Sequence, residues 1–207
     1  MGLNKYIAKQ FANPTGLGGT IISRIMNSQN RWMYHETIRL LSLVDSDSVL
    51  DIGCGNGYMM NMLARRYACD FTGIDISDSA IKDALRRNRA FVKSGRMTLL
   101  CQNASAMSFP DSIFSKVYTV NTVYFWENLT KTIAEARRVL RPGGIIINAL
   151  YTSDTLARFA HTRFGYKQYT TEELTQVGED LGLSVDVIPI LGGAAYCVKH
   201  TKAYDTR

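Results

Sequence analysis

The sequence predicts an α/β fold. The expected core is a mostly parallel, seven-stranded sheet in a three-layer αβα sandwich, with an antiparallel hairpin at one edge and a helical cap in front. Three observations carry this. From residue 48 onward, short apolar runs alternate with amphipathic stretches of helical period, the pattern of successive βα units. The first of these runs ends in a glycine-rich turn that opens a helix. The last two runs are separated by Gly192-Gly193, which is too short for a crossover, so they pair antiparallel.

Taken in order, Asn13-Pro14-Thr15-Gly16 reads as a turn. Two helical stretches follow within Gly18–Leu43. Ile21, Ile22, Ile25 and Met26 share one face of the first, and Met33, Ile38, Leu40 and Leu41 help form the apolar stripe of the second. Residues 1–44 form the cap, and 45–207 the core. Strands are expected at Ser48–Ile52, Asp70–Asp75, Met97–Cys101, Lys116–Val120, Gly144–Leu150, Leu183–Ile190 and Ala195–Val198. Helices fall between them at about 57–67, 77–90, 129–140 and 170–181. Ser77 caps the second of these, with Asp78 in its first turn. Arg141-Pro142-Gly143-Gly144 stops the third, and Thr170 with Glu173 forms a capping box on the fourth. The stretch 151–169 fits neither period and reads as lid-like.

Composition excludes several classes. The chain has 207 residues, 46% of them hydrophobic, enough for a core without disulfide or metal support. No apolar run approaches the roughly 20 residues that cross a bilayer. Cys54, Cys69, Cys101 and Cys197 form no CxxC pair and His is sparse, so no metal site is expected. Cys69 and Cys101 read as small core residues in a reduced, cytoplasmic protein. The net charge is +6, concentrated over Lys82–Arg96, which reads as one wet helix face. Nucleic acid is therefore not the expected partner.

Chemistry concentrates in Val49-Leu50-Asp51-Ile52-Gly53-Cys54-Gly55-Asn56-Gly57. Glycine turns there let backbone approach a ligand, and the following helix offers unpaired N–H groups to an anion. The spacing is G-x-G-x-G, and Tyr58 stands where a dinucleotide fingerprint needs its third glycine. Asp51 would repel a pyrophosphate and welcome an ammonium. The ligand should thus carry both signs of charge, as an amino acid does. Asp75 ends the second strand and suits a pair of ribose hydroxyls. An amino-acid end joined to a ribose end describes S-adenosylmethionine.

On these residues the sequence resembles the class I S-adenosylmethionine-dependent methyltransferases, in particular small-molecule members similar to those of ubiquinone biosynthesis. The resemblance covers about residues 45–200. It rests on Val49–Gly57, Gly73–Ser77, Asn103-Ala104 with Phe109-Pro110-Asp111, and Ala136–Gly144. The segment from Asn13 to Asn27 also resembles the N-terminal cap of some bacterial members. The resemblance implies a Rossmann-like fold and methyl transfer by in-line displacement, leaving S-adenosylhomocysteine. It implies that Asp51, Gly53, Cys54, Gly55 and Gly57 lie at the methionine end, with Cys54 as a small filler. Asp75 would bind the ribose, Ile76 would pack on the adenine, and Asn121 would face the reacting centre. Asn103, before Ala104, replaces the family's usual acid and would reach the adenine amino group through its amide oxygen. The run Asn121-Thr122-Val123-Tyr124 lacks the Pro-Pro of the amino-methylating motif, against base N-methylation.

The acceptor is expected to be a compact small molecule, because little chain remains outside the core to recognise anything larger. Tyr34, Tyr124, Trp126, Phe164 and Tyr166 are candidate pocket residues, with Trp32 and Phe125 beside them. His35, His161 and Tyr124 are candidate catalytic groups. Competing readings are an RNA methyltransferase using the basic helix, a non-catalytic S-adenosylmethionine-binding protein and a nicotinamide oxidoreductase, against which Tyr58 stands in the third glycine's place. The expected assembly is a monomer or homodimer.

Overall fold

The computed structural model describes residues 28–204. The turn at Asn13 and the first predicted cap helix lie outside them. Helix α1 (Arg31–Leu41) precedes β1 (Ser48–Ile52), α2 (Tyr58–Ala64), β2 (Asp70–Asp75), α3 (Asp78–Arg87), α4 (Arg89–Lys93) and β3 (Met97–Cys101). Then come β4 (Phe114–Val120), α5 (Leu129–Val139), β5 (Leu140–Tyr151), α6 (Ser153–Ala157), α7 (Thr171–Asp180), β6 (Leu183–Ile190) and β7 (Ala195–Lys202). The seven strands form one sheet in the order β3-β2-β1-β4-β5-β7-β6. β7 alone runs antiparallel to its neighbours, giving the expected edge hairpin.

Two apolar clusters make this a three-layer sandwich. On one face Met33, Ile38 and Leu41 of α1, Met60 and Leu63 of α2, and Ile81 and Ala84 of α3 pack with Val49, Phe71 and Ile147. On the other, Ile133, Ala136 and Val139 of α5 and Leu174 of α7 pack with Leu50, Val117 and Ile146. Neighbouring strand residues alternate between the faces, as the pleat requires.

Caps set the helix starts. Ser77 accepts the Ala80 N–H at α3, and Thr170 with Glu173 closes a complete capping box at α7. A Cβ on Gly178 of α7 would sit 2.4 Å from the His200 ring, so glycine lets α7 lie against β7. His200 Nε2 bonds the Leu174 carbonyl, 3.1 Å, and Nδ1 meets Asn148 Nδ2, 3.3 Å.

Three expectations need correction. The helix predicted over 77–90 breaks at Asn88 into α3 and α4. Arg141–Gly144 does end α5, but as a bulge inside β5. Leu140 pairs with Phe114 and Ile145 already with Lys116, and Gly143 takes φ +76° to make the bulge. Cys101, at the end of β3, is exposed rather than a core residue, whereas Cys69 is buried with its thiol 3.1 Å from the Val44 carbonyl.

Candidate functional site

The strand order reverses between β1 and β4, and ligands of open α/β sheets bind at the carboxyl ends of such strands. A cavity of about 210 Å³ lies there, at the ends of β1, β2, β3 and β4. Its floor is the turn after β1. Gly53, Gly55 and Gly57 all have positive φ, at +76°, +53° and +67°, so the G-x-G-x-G spacing places a glycine at every left-handed position. Gly53 is also required by packing, because a Cβ there would lie 2.3 Å from Thr122 Cγ2. At Gly55 a Cβ would meet nothing within 4 Å, which leaves space above the turn.

The turn is tied to β2. Gly53 and Cys54 donate their N–H groups to the Ile74 carbonyl at 2.8 and 3.0 Å. The Gly55 N–H bonds Asp75 Oδ2, 2.9 Å, and the Ser77 N–H bonds Asp75 Oδ1, also 2.9 Å. Asp75 therefore has a fixed carboxylate whose remaining lone pairs are open to a ligand. Burial raises its pKa, and the amide bonds oppose that rise.

Asp51 is only 5% exposed and lines the same cavity. Burial pushes its carboxyl up to about 8, with the Asp75 charge adding to the shift. Tyr118 lies beside it and pulls the other way, although its buried hydroxyl closes no hydrogen bond of ordinary length. Cys54 is buried beside them, and burial first, with the two carboxylates adding to it, raises its thiol pKa. Among the described residues lining the cavity, Asp51, Asp75 and Glu127 are acidic and none is Lys, Arg or His. In a chain of net charge +6 this acidic lining stands out, and its carboxyls would be drawn into their ionised form by a bound cation. Tyr34, Tyr58, Tyr118, Phe125 and Trp126 supply ring walls.

Ile76 lines the cavity and is 69% exposed, an apolar surface placed for a flat ring. Asn103 and Ala104 line it too. The Asn103 oxygen, however, accepts from the Ser105 N–H at 2.9 Å and the Ser105 hydroxyl at 3.0 Å. The oxygen expected to reach a ring amino group is thus engaged by Ser105, and the amide NH2 stands beside it. Asn121 lines the cavity at φ +56°, but its Nδ2 is spent on Asn30 Oδ1, 2.8 Å, and on Met33 Sδ, 3.3 Å. Its amide thus fastens the start of α1 to the end of β4 while the residue lines the cavity.

The acceptor residues divide. Tyr34 and Trp126 line the cavity. Tyr124 does not; it is a buried strut bonded to Asn121 Oδ1, 3.1 Å, and to the backbone of Tyr151. Phe164 and Tyr166 do not line it either. Tyr166 packs on Tyr124 and Phe125, Tyr169 bonds the Trp126 carbonyl, and the stretch 151–169 docks there without entering the cavity. Trp32 is 70% exposed and outside the cavity. His35 and His161 also lie outside it, so none of the three candidate catalytic groups reaches the cavity. Burial lowers the pKa of His161. Tyr58 and Asn30 were missed. The helical period places Asn30 one turn before Tyr34, and Tyr58 directly follows the glycine turn, so both signals were present in the sequence.

The basic stretch is mostly self-satisfied. Lys82 pairs with Asp78, Arg86 with Asp83, Arg87 with the Asn56 carbonyl and Arg96 with the Tyr67 carbonyl. This argues against a stripe waiting for phosphates.

Sheet order, glycine turn and cavity lining together define an α/β protein with a ligand cavity at the topological switch point, walled by acidic and aromatic side chains. A family model described as a methyltransferase domain matches residues 50–148. An uncharacterized methyltransferase, YdaC of Bacillus subtilis, is 35% identical over 125 residues, covering 60% of this chain and 67% of that protein. Demethylmenaquinone methyltransferase of Symbiobacterium thermophilum is 34% identical over 59% of this chain and 49% of its own length. This chain spans between a third and two thirds of the first relatives it matches. Among solved structures, geranyl diphosphate C-methyltransferase of Streptomyces coelicolor superposes with a TM-score of 0.68 at 16% identity, over 82% of this chain and 75% of that one. The [4+2]-cyclase SpnF superposes with a TM-score of 0.70 at 17% identity, over 83% and 81%. The chain belongs to the class I S-adenosylmethionine-dependent methyltransferase family.

Proposed function

We propose that this protein binds S-adenosylmethionine in the cavity and transfers its methyl group by in-line displacement to a compact small molecule. The observation that carries the reading is the charge of the cavity: carboxylates and ring faces line it, and no basic side chain does among the described residues. A phosphate-bearing dinucleotide would find no counter-charge there, whereas an ammonium and a sulfonium would.

Asp51 takes the ammonium, and the turn Gly53–Gly57 lies along the methionine end. Asp75 accepts from the ribose hydroxyls. Ile76 packs on the adenine, with the Asn103 amide and Ala104 at its edge. Bound S-adenosylmethionine supplies an electrophilic methyl on its sulfonium. The chain's own task is to hold that carbon and a nucleophile in line and to keep water away. Tyr34, Phe125 and Trp126 are the walls suited to this. Helix α1 packs on the sheet and brings Tyr34 to the cavity wall. Four free thiols fit a reducing cytoplasm.

The test is calorimetry with S-adenosylmethionine, S-adenosylhomocysteine and NAD, on wild type and Asp75→Ala. The first two should bind and NAD should not, and Asp75→Ala should lose about 1–3 kcal/mol. A cell extract supplied with isotopically labelled methyl donor then reports turnover. Tight NAD binding, or an Asp75→Ala variant that binds like wild type, contradicts the reading. A fold shared with a [4+2]-cyclase makes the turnover step decisive, since donor binding without any labelled product would favour a non-transferring role.

A further inference from the structure

The glycine turn is held from behind by an asparagine that the glycine motif does not include. Asn88 is 1% exposed, at the break between α3 and α4. Its Nδ2 donates to the Gly57 carbonyl at 3.1 Å and to the Ala84 carbonyl at 3.0 Å. Its Oδ1 accepts from Asn61 Nδ2, 2.9 Å, on the helix that the turn opens. A Cβ on Gly57 would lie 2.5 Å from Asn88 Nδ2 and 3.0 Å from Ala84 Cβ, so glycine at 57 and asparagine at 88 fit each other. The preceding Arg87 donates from Nε to the Asn56 carbonyl, 3.0 Å, and lies 5.4 Å over the Tyr58 ring. The strand end leading into α3 holds the turn as well, through Asp75 and the Gly55 N–H. The turn is thus gripped at Gly55 from one end of α3 and at Asn56 and Gly57 from the other.

We propose that Asn88 is a positioning residue for donor binding. It fixes the Gly57 carbonyl, and with it the backbone against which the methionine end of the donor lies. This rests on the donor reading above. It also gives a physical reason for the helix break. An asparagine whose amide is spent on Gly57 and on its own helix's Ala84 turns the chain at that point.

Asn88→Asp keeps the size and the acceptor for Asn61, but it sets a carboxylate against two carbonyl oxygens. S-adenosylmethionine and S-adenosylhomocysteine are titrated calorimetrically into wild type, Asn88→Asp, Asn88→Ala, Asn61→Ala and Asn148→Ala, with a melting curve for each. Asn148 is equally buried but outside the cavity, and its variant reads the effect of lost stability alone. Both Asn88 variants should lose donor affinity at least tenfold while folded at 25 °C. Asn61→Ala, which frees the Asn88 amide to turn and removes a less buried side chain, should lose it about threefold. Asn148→Ala should melt lower and bind as wild type does. Donor affinity within twofold of wild type in a folded Asn88 variant overturns the proposal. If neither Asn88 variant folds, unchanged affinity in Asn61→Ala overturns it instead. A wild type that takes up neither ligand refutes the donor reading itself, and the proposal with it.

Discussion

Replacing Asp51 with Asn should make the protein more stable and less able to bind its donor. The carboxyl is 5% exposed, faces a cavity with no basic side chain among its described lining residues, and is pushed up to about 8. In an unfolded chain it would titrate near 4. Between those values the folded state holds a proton that the unfolded state has released. Its contribution to stability is therefore complete below about pH 4, falls as the pH rises, and is exhausted above about pH 8. Four units at about 1.4 kcal/mol each put an upper bound of about 6 kcal/mol on the cost of the charge at pH 8. Water entering the cavity screens part of this, yet even 1 kcal/mol moves Tm by about 2–4 °C in a domain of this size. The assay compares melting curves of Asp51→Asn and wild type from pH 5 to pH 9 without donor, then titrates S-adenosylmethionine into each at pH 8. The variant should melt higher, with a gap that widens up to about pH 8 and then levels, and should bind the donor at least tenfold more weakly. A gap that stays constant with pH, or undiminished donor affinity, would refute the reasoning.

Other outcomes follow from the same geometry. Donor affinity of the wild type should rise with pH, approaching tenfold per unit well below 8, because an ammonium favours ionised Asp51; titrations at pH 6, 7 and 8 in buffers of different ionisation enthalpy should show proton release. Gly55→Ala puts a methyl into open space at φ +53°, so it should cost about 1–2 kcal/mol in urea unfolding and weaken donor binding more than that strain alone explains. Arg138 holds the carbonyls of Met107 and Phe109 and the carboxylates of Asp111 and Glu135, which anchors the loop carrying Asn103 and Ala104. Arg138→Ala should lose about 1–3 kcal/mol in urea unfolding and weaken donor binding as the loop loosens.

The fold was legible because its signals are local. Buried strands such as Ile145–Leu150 are apolar except at Asn148, helices carry one stripe, and Ser77 and Thr170 mark their own starts. The donor half of the site was legible for the same reason, since a glycine turn and the acid closing the next strand are read from short segments. What escaped depends on contacts distant in sequence. Asn88 breaks a helix because Gly57 lies 31 residues away in sequence and against it in space. Tyr124 follows a strand end as a pocket residue would, but Tyr151 and Asn121 claim its hydroxyl. Of the aromatics of 151–169, which suit covering a ligand, Tyr166 and Tyr169 instead pack behind Phe125 and Trp126, and Phe159 and Phe164 stay exposed. No periodicity distinguishes a ring facing a cavity from one facing a neighbouring segment.

The most direct measurement is a crystal structure with S-adenosylhomocysteine soaked in. Density should place the ribose hydroxyls on Asp75, the ammonium against Asp51 and the adenine on Ile76. Ligand density at another site, or an ammonium that leaves Asp51 untouched, would contradict the account.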